Sequence, residues 1–222
     1  MDHSSYLIHL HKGNPSRTLI LIHGVNSKDD SFGYWPIEKL GFDGDIYGLS
    51  WKTSLPSLFS PGFKQHYSDL CIQAKIAGQY LAEVASIFGE SELYVLSYSI
   101  GSYVAFSFLQ NVKSLSINQI LLFNATVSPE YDFKTYSSKV SNGIINFYNP
   151  IDYVLISINL IARFFFNSRP KDDLFNPIGI RAVTTVTENY SVIKKQWTRH
   201  KIDATLNSII RFNNTKFEYK TP

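Results

Sequence analysis

Leu93-Tyr94-Val95-Leu96-Ser97-Tyr98-Ser99-Ile100-Gly101 is the stretch on which the fold of this chain turns. Leu93–Leu96 reads as a strand. It runs directly into small-x-Ser-x-Gly, and Gly101 to Leu109 continues as a short helix that is apolar around much of its circumference. A strand that passes into a helix through one tight turn strains the backbone at the central residue. The positions two before and two after Ser99 must therefore be small. Gly101 meets that need fully, and Ser97 is the next size up from glycine. Ala105, one turn later, lets the helix lie close to the sheet. Such a turn carries the Ser99 hydroxyl, exposed, at the C-terminal edge of the strand and aims the Ile100 backbone N–H at an oxyanion forming beside it. The same residues also fit an ordinary strand-turn-helix whose serine caps the helix, so the surrounding chain has to decide.

Outward from this stretch, short apolar runs alternate with longer helical patterns. Tyr6 to His11, Thr18 to His23, Asp45 to Leu49, Gln119 to Phe123 and Ile144 to Tyr148 read as further strands, and a last one is expected within Val183 to Val192. Gly13-Asn14-Pro15 reads as a turn after the first. Thr18 to His23 is almost continuously apolar, as a strand buried on both faces requires. Leu70, Ala74, Ala77, Leu81, Val84 and Phe88 recur every three or four residues and end at Gly89, a good helix C-cap. Asp203 to Arg211 reads as a closing amphipathic helix. The pattern predicts an α/β fold, with a mostly parallel central sheet and helices on both faces. It fills one domain over 1–222, with lid or cap segments at 131–142 and 151–178.

Three further places carry chemistry. Leu19-Ile20-Leu21-Ile22-His23-Gly24-Val25-Asn26 is a buried strand ending in His-Gly. Gly24 lets the backbone approach a substrate oxygen, and the amide of Val25 or Asn26 is placed to be a second oxyanion donor. His23 reads as a structural brace. In Asn146-Phe147-Tyr148-Asn149-Pro150-Ile151-Asp152, Asn-Pro ends a strand and Asp152 follows it. A carboxylate there can accept from a histidine Nδ1–H and fix the tautomer whose Nε2 is basic. Asp152 equally suits the N-cap of a helix from Tyr153, and Asp132 is the rival acid. Of the six histidines, His200 alone follows this acid. Arg199 and Lys201 beside it favour the neutral imidazole that a general base needs.

Bulk properties bound the rest. A chain of 222 residues, 44% of them hydrophobic, buries roughly 70% of its unfolded surface without help from disulfides or metals. Its single cysteine, Cys71, has no intrachain partner and reads as a packed thiol in the cytoplasm. The net charge of +3 comes from scattered Lys and Arg and gives no electrostatic case for nucleic acid. The N-terminus lacks the apolar core of a secretory signal. Ile151 to Phe166, broken by Asp152, Asn159 and Arg163, is shorter than the ~20 apolar residues of a membrane span. Neither a metal-ligand spacing, a phosphate loop nor a dinucleotide fingerprint is present, so no cofactor is expected.

The turn at Ser99, the strand-end His-Gly and the chain order Ser, Asp, His resemble the α/β-hydrolase superfamily over nearly the whole chain. Three segments are similar to a poorly characterised hydrolase-like family that includes eukaryotic transmembrane and coiled-coil-domain proteins. These are Ile46 to Trp51, Asn146 to Leu155, and Asn176 through Glu188-Asn189 to His200. Ser97 and the lack of a membrane span depart from that family. The resemblance implies a Ser99, Asp152 and His200 triad and no particular substrate. The expected activity is serine-dependent hydrolysis of a carboxylic ester through an acyl-enzyme. Ile151 to Phe166, with Phe164-Phe165-Phe166, leans it towards a lipid or acyl ester and peripheral lipid contact, although a buried core helix explains that segment as well. A thioesterase or peptidase would use the same triad, and a catalytically silent binding module would share the fold.

Overall fold

A computed structural model describes residues 5–25, 32, 35, 37–53, 61–113, 115, 117–128, 135–136, 138–165, 190–194, 210–213 and 215–219. Its strands are β1 (Tyr6–His11), β2 (Asn14–Ile22), β3 (Gly44–Ser50), β4 (Glu92–Tyr98), β5 (Ile117–Phe123), β6 (Ile144–Tyr148) and β7 (Tyr190–Lys194). They form one seven-stranded sheet in the order β1-β3-β2-β4-β5-β6-β7. Only β1, paired with β3, runs antiparallel. The parallel arrangement brings the carboxyl ends of β2, β4, β5 and β6 to one edge. His23-Gly24, Ser99, Asn124 and the loop to Asp152 therefore gather there.

The sheet is buried on both faces because side chains alternate along each strand. Ile20 and Ile22 of β2, Val95 of β4, and Ile120 and Leu122 of β5 meet α1 (Phe63–Val84) and α2 (Gly101–Asn111). Leu19, Leu21, Tyr94, Leu96, Leu121 and Phe123 meet the other layer. There, Leu40 from a short 3-10 turn, Phe42 and the hairpin of β8 (Ile210–Phe212) and β9 (Phe217–Tyr219) cover the sheet. Gln119, buried in β5, clamps that hairpin: its Nε2 donates to the Phe217 carbonyl at 3.2 Å, and its Oε1 accepts from the Phe217 amide at 2.7 Å. One side chain thus takes the place of a ladder partner.

Of Asp203 to Arg211, expected to close the domain as a helix, the last two residues are strand and open the hairpin. Residues 203–209 lie outside the described ones, while Ile210 and Arg211 are extended and paired with Tyr219 and Glu218. Asn14 and Pro15, expected in a turn, open β2. The β2–β3 register shifts between Asn14 and Thr18, and that irregularity accommodates a residue with no N–H to give. The last strand of the seven-stranded sheet is β7, which overlaps the end of the expected interval. The parts 131–134, 137 and 166–178 of the expected lid or cap segments lie outside the described residues. Residues 153–165 form α3, which buries Leu155, Ile158 and Asn159 and exposes Tyr153 and Leu160. Among the described residues no helix is long and apolar enough to cross a membrane.

α1 and α2 touch closely enough that Gly78 has no room for a side chain. A Cβ there would lie 2.5 Å from the Val104 carbonyl oxygen and 2.6 Å from Ser107 Cβ. Gly78→Ala is expected to destabilise the fold by about 1–3 kcal/mol, as overpacking against fixed backbone does. Urea denaturation checks this, and an unchanged midpoint would mean that the two helices have slack at this contact.

Candidate active site

Ser99 ends β4 with φ 54°, in the left-handed region that non-glycine residues rarely occupy. Such a residue costs of order 1–3 kcal/mol and persists only where its surroundings over-determine it. Here they do. The Ser99 amide donates to the Phe123 carbonyl on β5 at 2.8 Å. The Ser99 carbonyl accepts from the Ser102 amide at 3.1 Å and from the Ser102 hydroxyl at 2.8 Å. The Thr126 amide reaches both that carbonyl, at 3.4 Å, and the Ser102 Oγ, at 3.2 Å. Ser102 and Thr126 are tertiary parts of this turn that the sequence reading missed. A serine three residues after Ser99 was the available signal.

The turn is wedged against the end of β2. A Cβ on Gly101 would lie 2.7 Å from the His23 carbonyl oxygen and 3.0 Å from Ile22 Cγ2. A Cβ on Gly24 would lie 3.0 Å from Ser99 Cβ and 3.1 Å from Tyr98 Cδ1. Ser97, fully buried, lies in register between Ile22 on β2 and Leu122 on β5. Its Oγ has no hydrogen-bond partner among the described residues. Ile100 is buried immediately before α2, and Val25, partly buried, packs on the helix-side core. Ser99 itself is only 4% exposed, so the turn does not present it to open solvent as the sequence suggested. Close packing by Gly24 and Tyr98 is one cause.

His23 is buried, and its Nδ1 lies 2.8 Å from the Gly24 carbonyl oxygen. Its ring stacks on Trp51 at 5.8 Å and meets the edge of Phe32 at 5.5 Å, while Trp51 Nε1 donates to the His23 carbonyl at 3.3 Å. The strand-end histidine is thus held between two aromatic rings. Trp51 belongs to the segment singled out for its family resemblance.

Asp152 follows β6 and is fully buried. Asn149 makes the turn that carries it there: the Asn149 carbonyl accepts from the Asp152 amide at 3.1 Å, and Asn149 Oδ1 accepts from the Ile151 amide at 3.2 Å. Asp152 Oδ1 accepts from the Val154 and Leu155 amides at 3.0 and 3.1 Å, the geometry of an N-cap for α3. Asp152 Oδ2 accepts from Asn124 Nδ2 at 2.6 Å. Capping and acceptance from a histidine are compatible, because an ionised carboxylate offers about four lone-pair sites. His200, Asn26 and the rival acid Asp132 lie outside the described residues.

No protein-family model matches the chain, and no curated protein matches its sequence. Solved structures do match its fold. TT1662 from Thermus thermophilus is 12% identical, with a TM-score of 0.58 over 92% of this chain and 89% of that one. Esterase PE8 is 13% identical, with a TM-score of 0.54 over 93% and 95%. A monoacylglycerol lipase from Paleococcus ferrophilus is 10% identical, with a TM-score of 0.50 over 91% of each chain. The chain has the α/β-hydrolase fold.

The Ser102 hydroxyl is buried and bridges two backbone groups of the turn. Ser102→Ala is expected to cost about 1–3 kcal/mol, the penalty for stranding buried polar groups. Thermal melting monitored by circular dichroism measures this, and a melting curve identical to wild type would show that the Ser102 amide alone holds the turn.

Proposed function

We propose that the protein is a serine hydrolase that cleaves a carboxylic ester through Ser99, His200 and Asp152. The observation that carries this reading is the left-handed Ser99 on a turn pressed against the end of β2, where a Cβ on Gly101 would lie 2.7 Å from the His23 carbonyl oxygen and one on Gly24 3.0 Å from Ser99 Cβ. Nothing in a plain helix cap calls for that approach. A hydrolase needs it, because the amides of Ile100 and of Val25 or Asn26 must converge on one oxygen. The N-terminus of α2 adds its positive dipole end at the same spot. Gly101, Ser97 and His23 serve the site structurally.

In this reading His200 Nε2 takes the Ser99 Oγ proton as Oγ bonds to the carbonyl carbon, and the carbonyl electron pair moves onto oxygen. Each oxyanion donor is typically worth ~3 kcal/mol at this stage. Collapse breaks the C–O bond, and the leaving alkoxide takes the proton back from His200. Water then repeats the sequence on the acyl-enzyme. Asp152 holds the imidazole in the required tautomer. Support for His200 comes from chain order: it lies six residues after Lys194, where β7, the neighbour of β6, ends.

The lean towards lipid or acyl esters draws on Ile151 and Tyr153, exposed on either side of Asp152, and on Leu160 further along α3. That two proteins of the same fold are named an esterase and a monoacylglycerol lipase supports an ester substrate. The similarity of Ile46–Trp51 and Asn146–Leu155 to the family with transmembrane and coiled-coil-domain members belongs to the same reading, as do the cytoplasmic setting of the buried Cys71 thiol and peripheral lipid contact. The burial of Ser99 favours one competing reading, a silent binding module.

Fluorophosphonate labelling separates the two. The wild type is expected to label, and Ser99→Ala to lose the label completely. A folded wild type that stays unlabelled would leave the binding module standing. Turnover of p-nitrophenyl esters of increasing chain length then sizes the acyl pocket, and an optimum at acetyl would remove the lipid lean. The acid is tested separately: Asp152→Asn should lower kcat on the order of 10⁴-fold, while Asp132→Asn should leave it within twofold of wild type. The reverse pattern would reassign the acid.

A further inference from the structure

Asn124, at the end of β5, shares with Ser99 a property that no other described residue except glycines has: a positive φ, here 49°. It is buried, and its amide donates to the Phe147 carbonyl of β6 at 3.2 Å. Its side chain points to the acid, with Nδ2 2.6 Å from Asp152 Oδ2. The direction of that bond follows from chemistry, since an ionised carboxylate accepts only and the amide nitrogen must donate. We propose that Asn124 is a positioning residue, which fixes the Asp152 carboxylate for its histidine and ties it mechanically to the Ser99 turn.

The tie is short. The Ser99 amide hangs on the carbonyl of Phe123, and Asn124, the next residue, hangs on the carbonyl of Phe147. The Phe123 and Phe147 rings stack between them at 4.5 Å, with 4° between their planes. Turn, Asn124 and acid therefore form one chain of contacts across three adjacent strand ends. Residue chemistry narrows what can stand at this position. A left-handed backbone admits Gly, Asn and Asp at low cost. Glycine has no donor, and aspartate would set a second carboxylate against the first. Asparagine alone combines the backbone with a short neutral donor. A fully buried carboxylate needs such donors to satisfy its oxygens and hold them in one orientation.

This inference rests on the reading of Ser99 and Asp152 as parts of one triad, and its test separates the two. Fluorophosphonate labelling is followed to saturation to give kinact and KI for the wild type, Asn124→Gly, Asp152→Asn and the double variant. Asn124→Gly keeps the backbone and removes the donor. It is expected to lower kinact by about ten- to a hundredfold, the worth of a hydrogen bond to a charged group, with KI unchanged and every molecule still labelled at the end point. In the Asp152→Asn background the same substitution is expected to change nothing further, because residues that act through one another are not additive. A wild-type kinact in Asn124→Gly, an equal loss in both backgrounds, or a loss of labelled fraction at constant rate would each overturn the role. If Asn124→Gly does not melt cooperatively, the near-isosteric Asn124→Asp takes its place, with a loss at least as large expected. An unlabelled wild type would overturn the Ser99 reading itself, and the role of Asn124 with it.

Discussion

The structure depends on a contact in which two backbones approach with no side chain between them. β2 lies in the middle of the sheet, and its end presses on the turn that joins β4 to α2. The fit is reciprocal. Gly101 leaves space for the His23 carbonyl and Ile22, and Gly24 leaves space for Ser99 Cβ. A methyl on Gly101 would force the strand end and the turn apart, and one on Gly24 would crowd Ser99 Cβ at 3.0 Å. The distance between the two turns is therefore set by packing at the density of a protein interior, which yields little. Trp51 and Phe32 extend the constraint outward by holding the His23 ring, so the approach of β2 to Ser99 is braced from β3 as well.

Left-handed backbone at the ends of two neighbouring strands has a common origin. A parallel strand that stops at the sheet edge must turn its chain away while its last amide still seeks a partner. Ser99 and Asn124 both do so by flipping to positive φ and donating to the neighbouring strand's end, at Phe123, the last residue of β5, and at Phe147, the last but one of β6. The strain is of order 1–3 kcal/mol at each. It is offset by hydrogen bonds that continue the ladder one residue beyond each strand, and it leaves two short polar side chains at one edge.

Most of the sheet was legible because buried parallel strands read as apolar runs. β1 and β6 begin and end where the sequence placed them. The α1 stripe also marked its C-terminal side: Gly89 ends the helical run at φ 57°, its amide on the Ser86 carbonyl. The start of α1 was not legible. Gly62 offers no side-chain cap, and Lys64, Gln65 and His66 hide the buried Phe63 and Tyr67. The C-terminal hairpin was missed because three-residue strands are too short to show a period. Asn213, whose Oδ1 takes the Thr215 and Lys216 amides, was its one local sign. At the edge beside Ser99, Gly24 and Gly101 could be read because their requirement is local. Asn124 could not, since its partner is 28 residues away along the chain, and for Ser102 only the bond to Ser99 is local, while Thr126 lies 24 residues away.

The C-terminal hairpin is fixed to the sheet by side chains of the two strands that end at Ser99 and Asn124. Gln119 of β5 holds the Phe217 backbone, and the one hydroxyl proton of Tyr94 on β4 is shared between the Thr215 carbonyl at 2.8 Å and the Glu92 carboxylate at 3.0 Å. Burial and the Glu92 carboxylate raise the Tyr94 pKa, so that hydroxyl keeps its proton and remains a donor. Phe212 and Phe217 add edge-to-face contacts with the Tyr94 ring. The strands that anchor the hairpin are thus β4 and β5, whose other ends carry Ser99 and Asn124. The chain leaves the sheet at Lys194, paired to β6, and is fixed again at Ile210. The aromatic layer and the hairpin are therefore held by the same two strands that end in the left-handed Ser99 and Asn124.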